Sequence, residues 1–222
     1  MKALFRWLAI ALVALPSAAL AHPHIWIQQV VRVFAKDGAY THVEIEWRFD
    51  PMSSEIEIPL IDENKDRRFS AKEVAVLAKE MLPELKAQGY LMWLNTGGAD
   101  FRPVKVPTLT ARIDDPARFR PPEWDQFEGD DDARAAARRT QLNAAAKRTR
   151  GPRNLVYVMR YELPAPVKQI SVTVQDPDDF IRIEVEPGSA PEHCELRKHL
   201  RIASEFIRGR PIPADEVLCR LP

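Results

Sequence analysis

Residues His42 to Phe49 constrain the fold more than any other part of this chain. They alternate without a break. Val43, Ile45, Trp47 and Phe49 take one face, and His42, Glu44, Glu46 and Arg48 take the other. This period of two is that of a strand with one side in a core. Just upstream, Ile25 to Phe34 is rich in β-branched and aromatic residues, and Asp37-Gly38 after it is a turn signal. The two stretches read as a hairpin. A hairpin with an apolar face needs further layers to bury it.

The rest of the chain offers that cover. Tyr90 to Leu94 and Val104 to Ile113 read as strands. Leu155 to Leu163 and Val167 to Gln175 read as a second strand pair across Pro164-Ala165-Pro166, with a strand from Phe180 to Val185 after it. Ser70 to Gln88 has helical spacing: Val74, Leu77, Ala78, Met81 and Leu85 recur at three- and four-residue steps, and Gly89 stops the run. Strands dominate and one helix is clear. The expected class is α+β, mainly antiparallel and sandwich-like. Residues 114–153 differ. Prolines open the stretch, Glu128 to Asp132 is acidic, and Arg134 to Arg153 is rich in alanine and arginine. A helix over about 131–148 fits, with acids at its start and bases at its end. Only Leu142 within it is large and apolar, so 114–153 reads as a surface insertion.

Residues 1–21 read as a secretory signal peptide. Lys2 and Arg6 form a basic start, an apolar run extends from Leu8 to Ala21, and Ala19-Leu20-Ala21 has the small-x-small pattern of a cleavage site. Residues 22–222, roughly 200, then make a single α+β domain. The expected location is the periplasm. The formal net charge of the whole chain is zero. No basic stripe interleaved with aromatics argues for nucleic acid. No second apolar run reaches membrane-spanning length. Cys194 and Cys219, the two cysteines, are expected to pair as a disulfide in an oxidising compartment.

Cleavage after Ala21 would expose His22-Pro23-His24. His22 would then offer an α-amine and an imidazole, and His24 a second imidazole. These donors suit copper, nickel and zinc. Pro23 has no N–H to lose, which rules out the amide-nitrogen chelate that places histidine third and leaves a brace built on His22 with or without His24. A third ligand could come from His42, His193 or His199. A second metal candidate spans residues 62–73, which follow the twelve-residue calcium loop. Asp62, Asn64 and Asp66 hold positions 1, 3 and 5, the Arg68 carbonyl position 7, Ser70 position 9 and Glu73 position 12. Arg67 stands at position 6, where glycine is expected, and Pro59 interrupts any normal incoming helix, so the loop reads as a degenerate EF-hand-like loop. Without an ion, Asp62 and Asp66 would hold it by accepting backbone N–H groups.

Several of these pieces together resemble domain-of-unknown-function family 1007. They are His22-Pro23-His24-Ile25-Trp26 after a signal peptide, Glu46-Trp47-Arg48-Phe49-Asp50, the calcium-like loop, Gly89-Tyr90, and Gln175-Asp176-Pro177-Asp178-Asp179-Phe180. The resemblance covers nearly all of the mature chain outside 114–153. It implies a periplasmic component of an uncharacterised ABC-type transport system, often found with nickel/cobalt-type permeases. It implies no established activity. The family's loop usually carries glycine at the position of Arg67.

The leading expectation is therefore an exported metal-handling accessory protein that serves a membrane metal permease or ABC-type transporter. A calcium-stabilised interaction domain is the second reading, and a histidine-brace copper oxidase a minor third. No nucleophile elbow and no Cys/His signature suggests a hydrolase, and the chain is not expected to be an enzyme.

Overall fold

The structure is a computed structural model that describes residues 25–114, 118–119, 153–176, 180–207 and 210–221. The expected signal peptide, His22, His24 and the helix expected over 131–148 lie outside the described residues. The elements run β1 (Ile25–Lys36), β2 (Ala39–Phe49), α1 (Pro51–Ile61), α2 (Ala71–Ala87), a 3-10 turn (Gly89–Leu91), β3 (Met92–Asn95), β4 (Thr108–Asp114), β5 (Asn154–Val167), β6 (Gln169–Val174), β7 (Ile181–Val185), β8 (Cys194–Ile207) and β9 (Arg210–Arg220). Two sheets form, in the orders β4-β5-β2-β1-β7 and β3-β6-β9-β8. Pairing is antiparallel except between β1 and β7. Their facing sides share one core, with Val43, Ile45 and Met159 from the first sheet and Ile170, Val172 and Val217 from the second fully buried. The α+β class and the sheet-dominated architecture agree with the sequence. Among the described residues no helix is long and apolar enough to cross a membrane.

The β1–β2 hairpin forms as its pattern demands. Lys36 pairs with Ala39 across Asp37 and Gly38, whose φ values are 52° and 72°. Both are left-handed, as the tight hairpin turn needs, and Asp-Gly is the pair that tolerates it. Helix α2 is capped by Ser70, whose hydroxyl accepts from the Glu73 N–H while Glu73 reaches back to the Ser70 N–H.

Four expectations change. Leu155–Leu163 and Val167–Gln175 do not pair with each other: β5 joins β2 and β4, and β6 joins β3 and β9. The chain crosses between sheets near Lys168, just past Pro164 and Pro166, which have no N–H for a ladder on both sides. The strand expected over Val104–Ile113 begins only at Thr108, because Pro103 and Pro107 break pairing before it. The strand expected from Tyr90 begins at Met92. Gly89, Tyr90 and Leu91 instead carry φ values of 61°, 58° and 55°. A Cβ on Gly89 would lie 2.9 Å from the Arg102 side chain, so a larger residue would have to displace Arg102 as well as hold the left-handed backbone. Finally, Pro59 does not prevent an incoming helix. It sits in the last turn of α1, which opens with Asp50 as N-cap and Pro51 at its first position.

Cys194 and Cys219 are bonded, as expected. They are register partners on β8 and β9. A closed loop of 25 residues constrains the unfolded chain by about 3 kcal/mol in the chain-entropy picture. Asp114 and Asn154 are also register partners, so residues 115–153 leave and return on neighbouring strands.

Candidate functional site

Ile25, the first described residue, lies between two strands. On one side β1 runs antiparallel to β2, with Ile27 opposite Phe49. On the other it runs parallel to β7, with Ile25 opposite Ile181. The opening of β1 therefore meets the end of β2 and the start of β7 at one rim.

Asp50 organises that rim. As N-cap of α1 it accepts from the N–H groups of Met52 (2.9 Å) and Ser53 (3.0 Å) and from the Ser53 hydroxyl (2.6 Å). Its other contact is to β1: the Trp26 N–H donates to Asp50 Oδ2 at 3.0 Å, and the Asp50 N–H donates to the Trp26 carbonyl at 2.9 Å. Ser54, fully buried, donates to the Asp50 carbonyl and accepts from the Leu155 N–H at 2.9 Å. Asp176 does for β7 what Asp50 does for α1, since its Oδ2 accepts from the N–H groups of Phe180 (2.9 Å) and Ile181 (2.8 Å). The neighbouring Gln175 N–H donates to the Leu91 carbonyl at 2.8 Å. The segments around Trp26, Asp50, Leu91 and Gln175–Asp176 thus converge although up to 150 residues separate them. The Asp50-Pro51 pair signals an N-cap in sequence, but nothing in the sequence reveals that its second oxygen holds β1.

The rim fixes the start of β1 and does not itself form a ligand set. Asp50 and Asp176 are 6% and 4% exposed, and the described contacts of both go to N–H and O–H donors. Among the described residues no group of three His, Cys, Asp or Glu side chains could hold a metal ion. His22 and His24 lie outside the described residues. The other three histidines are not brought to the rim in a free state. His42 pairs with Phe34 in register and stacks on its ring at 4.5 Å, nine residues and roughly 30 Å along β1 from Ile25. Burial, with Arg160 nearby, pushes its imidazole below the ordinary range despite Glu162 and Glu44. His193 precedes the disulfide, and its carbonyl accepts from the Arg220 N–H. Arg220 pairs with Gln169, at the end of β6 away from Gln175. His199 accepts through Nδ1 from the N–H groups of Arg201 (3.1 Å) and Ile202 (2.9 Å), so its proton sits on Nε2, 3.9 Å from Asp100. Neither ring nitrogen has a lone pair to offer without rearrangement.

The 62–73 loop starts at the far end of α1. Asp62 accepts from the N–H groups of Asp66 (3.1 Å) and Arg67 (3.0 Å), and Asp66 from that of Arg68 (2.8 Å). Asn64 accepts from the Asp66 N–H at 2.9 Å. Glu73 Oε2 takes the Ser70 N–H and hydroxyl, both at 2.8 Å. The Ser70 N–H and then its hydroxyl, helped by the N–H groups of Asn64 and Glu63, hold the Glu73 carboxyl below the usual range. Both carboxylate oxygens of Asp62 and of Asp66, and Oε2 of Glu73, thus accept from donors of the loop itself. Lys65 and Arg67, positions 4 and 6, have φ values of 60° and 68°. The backbone keeps the turn that glycine normally provides, and each side chain costs about 1–2 kcal/mol to hold there. Arg67→Gly is accordingly expected to raise stability by about 1 kcal/mol, or roughly 2–4 °C in melting temperature. It also removes a positive charge from the loop, so any calcium-induced shift in melting should grow. A native protein that already melts much higher in micromolar calcium would show that Arg67 does not impair the loop.

On the outward face of the first sheet, Glu46 is 3% exposed. Arg32 (3.0 Å), Arg48 (2.8 Å) and Arg112 (3.1 Å) all reach it. Arg48 extends the network to Glu186 at 2.7 Å. Burial alone would raise the Glu46 carboxyl; Arg112, Arg48 and Arg32 together bring it below the usual range.

No curated protein and no solved structure matches this chain. The family described as "Protein of unknown function (DUF1007)" matches residues 7–200. That span carries each motif that meets at the rim, together with the 62–73 loop, and the chain belongs to this family.

Proposed function

We propose that this protein is an exported metal-handling accessory protein. In this reading it binds one divalent transition metal at its mature N-terminus and serves a membrane metal permease in the periplasm. The sequence Ala21-His22-Pro23-His24 leading into β1 carries the reading. The α-amine and ring of His22, with the ring of His24, supply borderline nitrogen donors. What supports it is the anchoring of β1. Trp26 is tied in both directions to Asp50, and Ile25 is paired to Ile181. Three residues of extended chain reach at most ~10 Å. A metal held by His22 would therefore stay close to the rim instead of moving on a long tether. A partner taking the metal would approach that end of the first sheet.

The test is titration of mature protein beginning at His22 against a variant with one alanine added ahead of it. Copper or nickel should bind more tightly than zinc, and the extension should weaken binding by about tenfold or more. Equal affinities in the two forms would reduce the site to side-chain binding at most. The mass of the secreted protein checks that His22 is its first residue. A second reading, a calcium-stabilised interaction domain, draws on the left-handed φ of Lys65 and of Arg67, the latter at the position where a calcium loop carries glycine.

A further inference from the structure

Strand β8 breaks register in mid-strand. Lys198 pairs with Asp215, and the next pair is Ala203 with Pro213. Residues 199–202 therefore stand opposite Ala214 alone. A bulge this wide leaves backbone N–H groups without ladder partners. His199 supplies the missing acceptor. Its Nδ1 takes the N–H groups of both Arg201 (3.1 Å) and Ile202 (2.9 Å). The residue is 9% exposed, so water does not readily replace the ring.

The bulge is also tied across its sheet. The second sheet runs β3-β6-β9-β8, which makes β3 and β8 its edges. Asp100, in the segment after β3, accepts from Asn95 (2.8 Å) through Oδ1 and from Arg201 (3.3 Å) through Oδ2. His199 Nε2 lies 3.9 Å from the same Oδ2. Past the bulge, β8 and β9 continue as a two-stranded arm, with Ala203 opposite Pro213, Ser204 opposite Ile212 and Ile207 opposite Arg210. The ladder of β9 with β6 has ended by then, at Glu216 and Thr173. The 199–202 turn thus sets how the arm leaves the sheet.

The charged groups around the ring come from three elements. Asp100 lies on the Nε2 side and already holds Arg201. Glu216 on β9 is bonded by Arg197 of β8 at 2.6 Å. Lys198 and Asp215 pair with each other. On β6 the outward residues of that face, Ser171 and Thr173, are uncharged. Each carboxylate therefore has a cation of its own. None of the ion pairs replaces the Nδ1 lone pair that Arg201 and Ile202 share.

We propose that His199 is an acid-operated latch for the β8–β9 arm. With a neutral ring, Nδ1 holds both amides and the turn is closed. A proton bound at Nδ1 takes that lone pair and sets three N–H groups against one another, so the turn opens and the arm is released. One proton displaces two hydrogen bonds. The inference goes beyond the metal reading and needs no metal.

The experiment is amide hydrogen exchange on the metal-free mature protein at about pH 7.5 and about pH 5, which bracket the ordinary imidazole range. Each rate is divided by the intrinsic rate at that pH. Protection at Arg201 and Ile202 should fall by about tenfold or more on acidification, since an opening that takes up one proton gains at most about tenfold per pH unit. The amides of β6 should keep theirs. His199→Asn puts Oδ1 where Nδ1 stands and takes no proton in this range, so it should hold both amides at both pH values. His199→Phe keeps a ring without an acceptor and should leave them unprotected at both. Nitrogen NMR of the native ring gives a reading that needs no variant: Nδ1 should take up its proton over the interval in which the two amides lose protection. Unchanged native protection would overturn the proposal, as would a ring that protonates at Nδ1 with both amides still protected. An asparagine variant that loses protection on acidification as the native chain does would also overturn it, and would move the effect to Asp100 or Glu216.

Discussion

Glu46→Ala is expected to destabilise the protein by about 3–5 kcal/mol, because it removes the acid from a buried ionic cluster and leaves its cations behind. Arg48 sets most of that cost. Its side chain is 10% exposed and would keep only Glu186 as a partner. Arg32 and Arg112, at 39% and 42%, can turn to water, and their share is correspondingly small. For a domain of this size the melting temperature should fall by roughly 6–20 °C. Glu46→Gln keeps the shape but not the charge and should cost less. The pH dependence has a definite sign. The folded carboxyl lies below the ordinary glutamate value of 4.5, so its stabilisation is full above that value and is lost as pH falls through the lower folded value. The stability gap between native protein and Glu46→Gln should therefore narrow below pH 4.5. A gap that is small at neutral pH, or one that widens on acidification, would show that the arginines are satisfied without Glu46.

Local chemistry explains which elements the sequence reveals. The β1–β2 hairpin is legible because strict alternation and Asp37-Gly38 agree on both strand and turn. Helix α2 is legible because Ser70, Glu73 and the three- and four-residue spacing agree. Helix α1 is not, since Met52, Ile56, Ile58, Leu60 and Ile61 spread around its axis and leave no periodic stripe, and Pro59 argues against it. Strands β8 and β9 escape for a related reason. Arg197, Lys198, His199 and Arg201 interrupt the apolar residues of β8, and the pairing breaks between Lys198 and Ala203. Partner choice is the least legible property. Nothing near Pro164 says that β5 joins β2 while β6 joins β9, because that depends on strands more than 100 residues upstream or about 50 downstream. The rim is hidden in the same way. Its motifs are visible one by one, but their meeting follows from the register of β1 with β2 and β7.

Asp50→Ala is expected to cost about 2–5 kcal/mol and to loosen the start of β1. Two separate losses combine. The N–H groups of Met52 and Ser53 lose their cap, worth about 1–2 kcal/mol. The Trp26 N–H, which donates to Asp50 inside a buried contact, loses its acceptor at about 1–3 kcal/mol. Asp50→Asn should restore the cap, because asparagine caps as well as aspartate. It keeps only one acceptor oxygen, however, and must choose between α1 and β1. Amide hydrogen exchange separates the two losses. In Asp50→Ala the amides of Trp26, Met52 and Ser53 should all exchange faster. In Asp50→Asn those of α1 should recover and that of Trp26 should not. Metal affinity of the His22 terminus should change little in either variant, because its proposed donors are His22 and His24 themselves. Under the proposed function, delivery to a permease would need the terminus held at the rim and should fall in both. If Trp26 stays fully protected in Asp50→Ala, backbone pairing with β2 and β7 secures β1, and the Asp50 side chain serves only its helix.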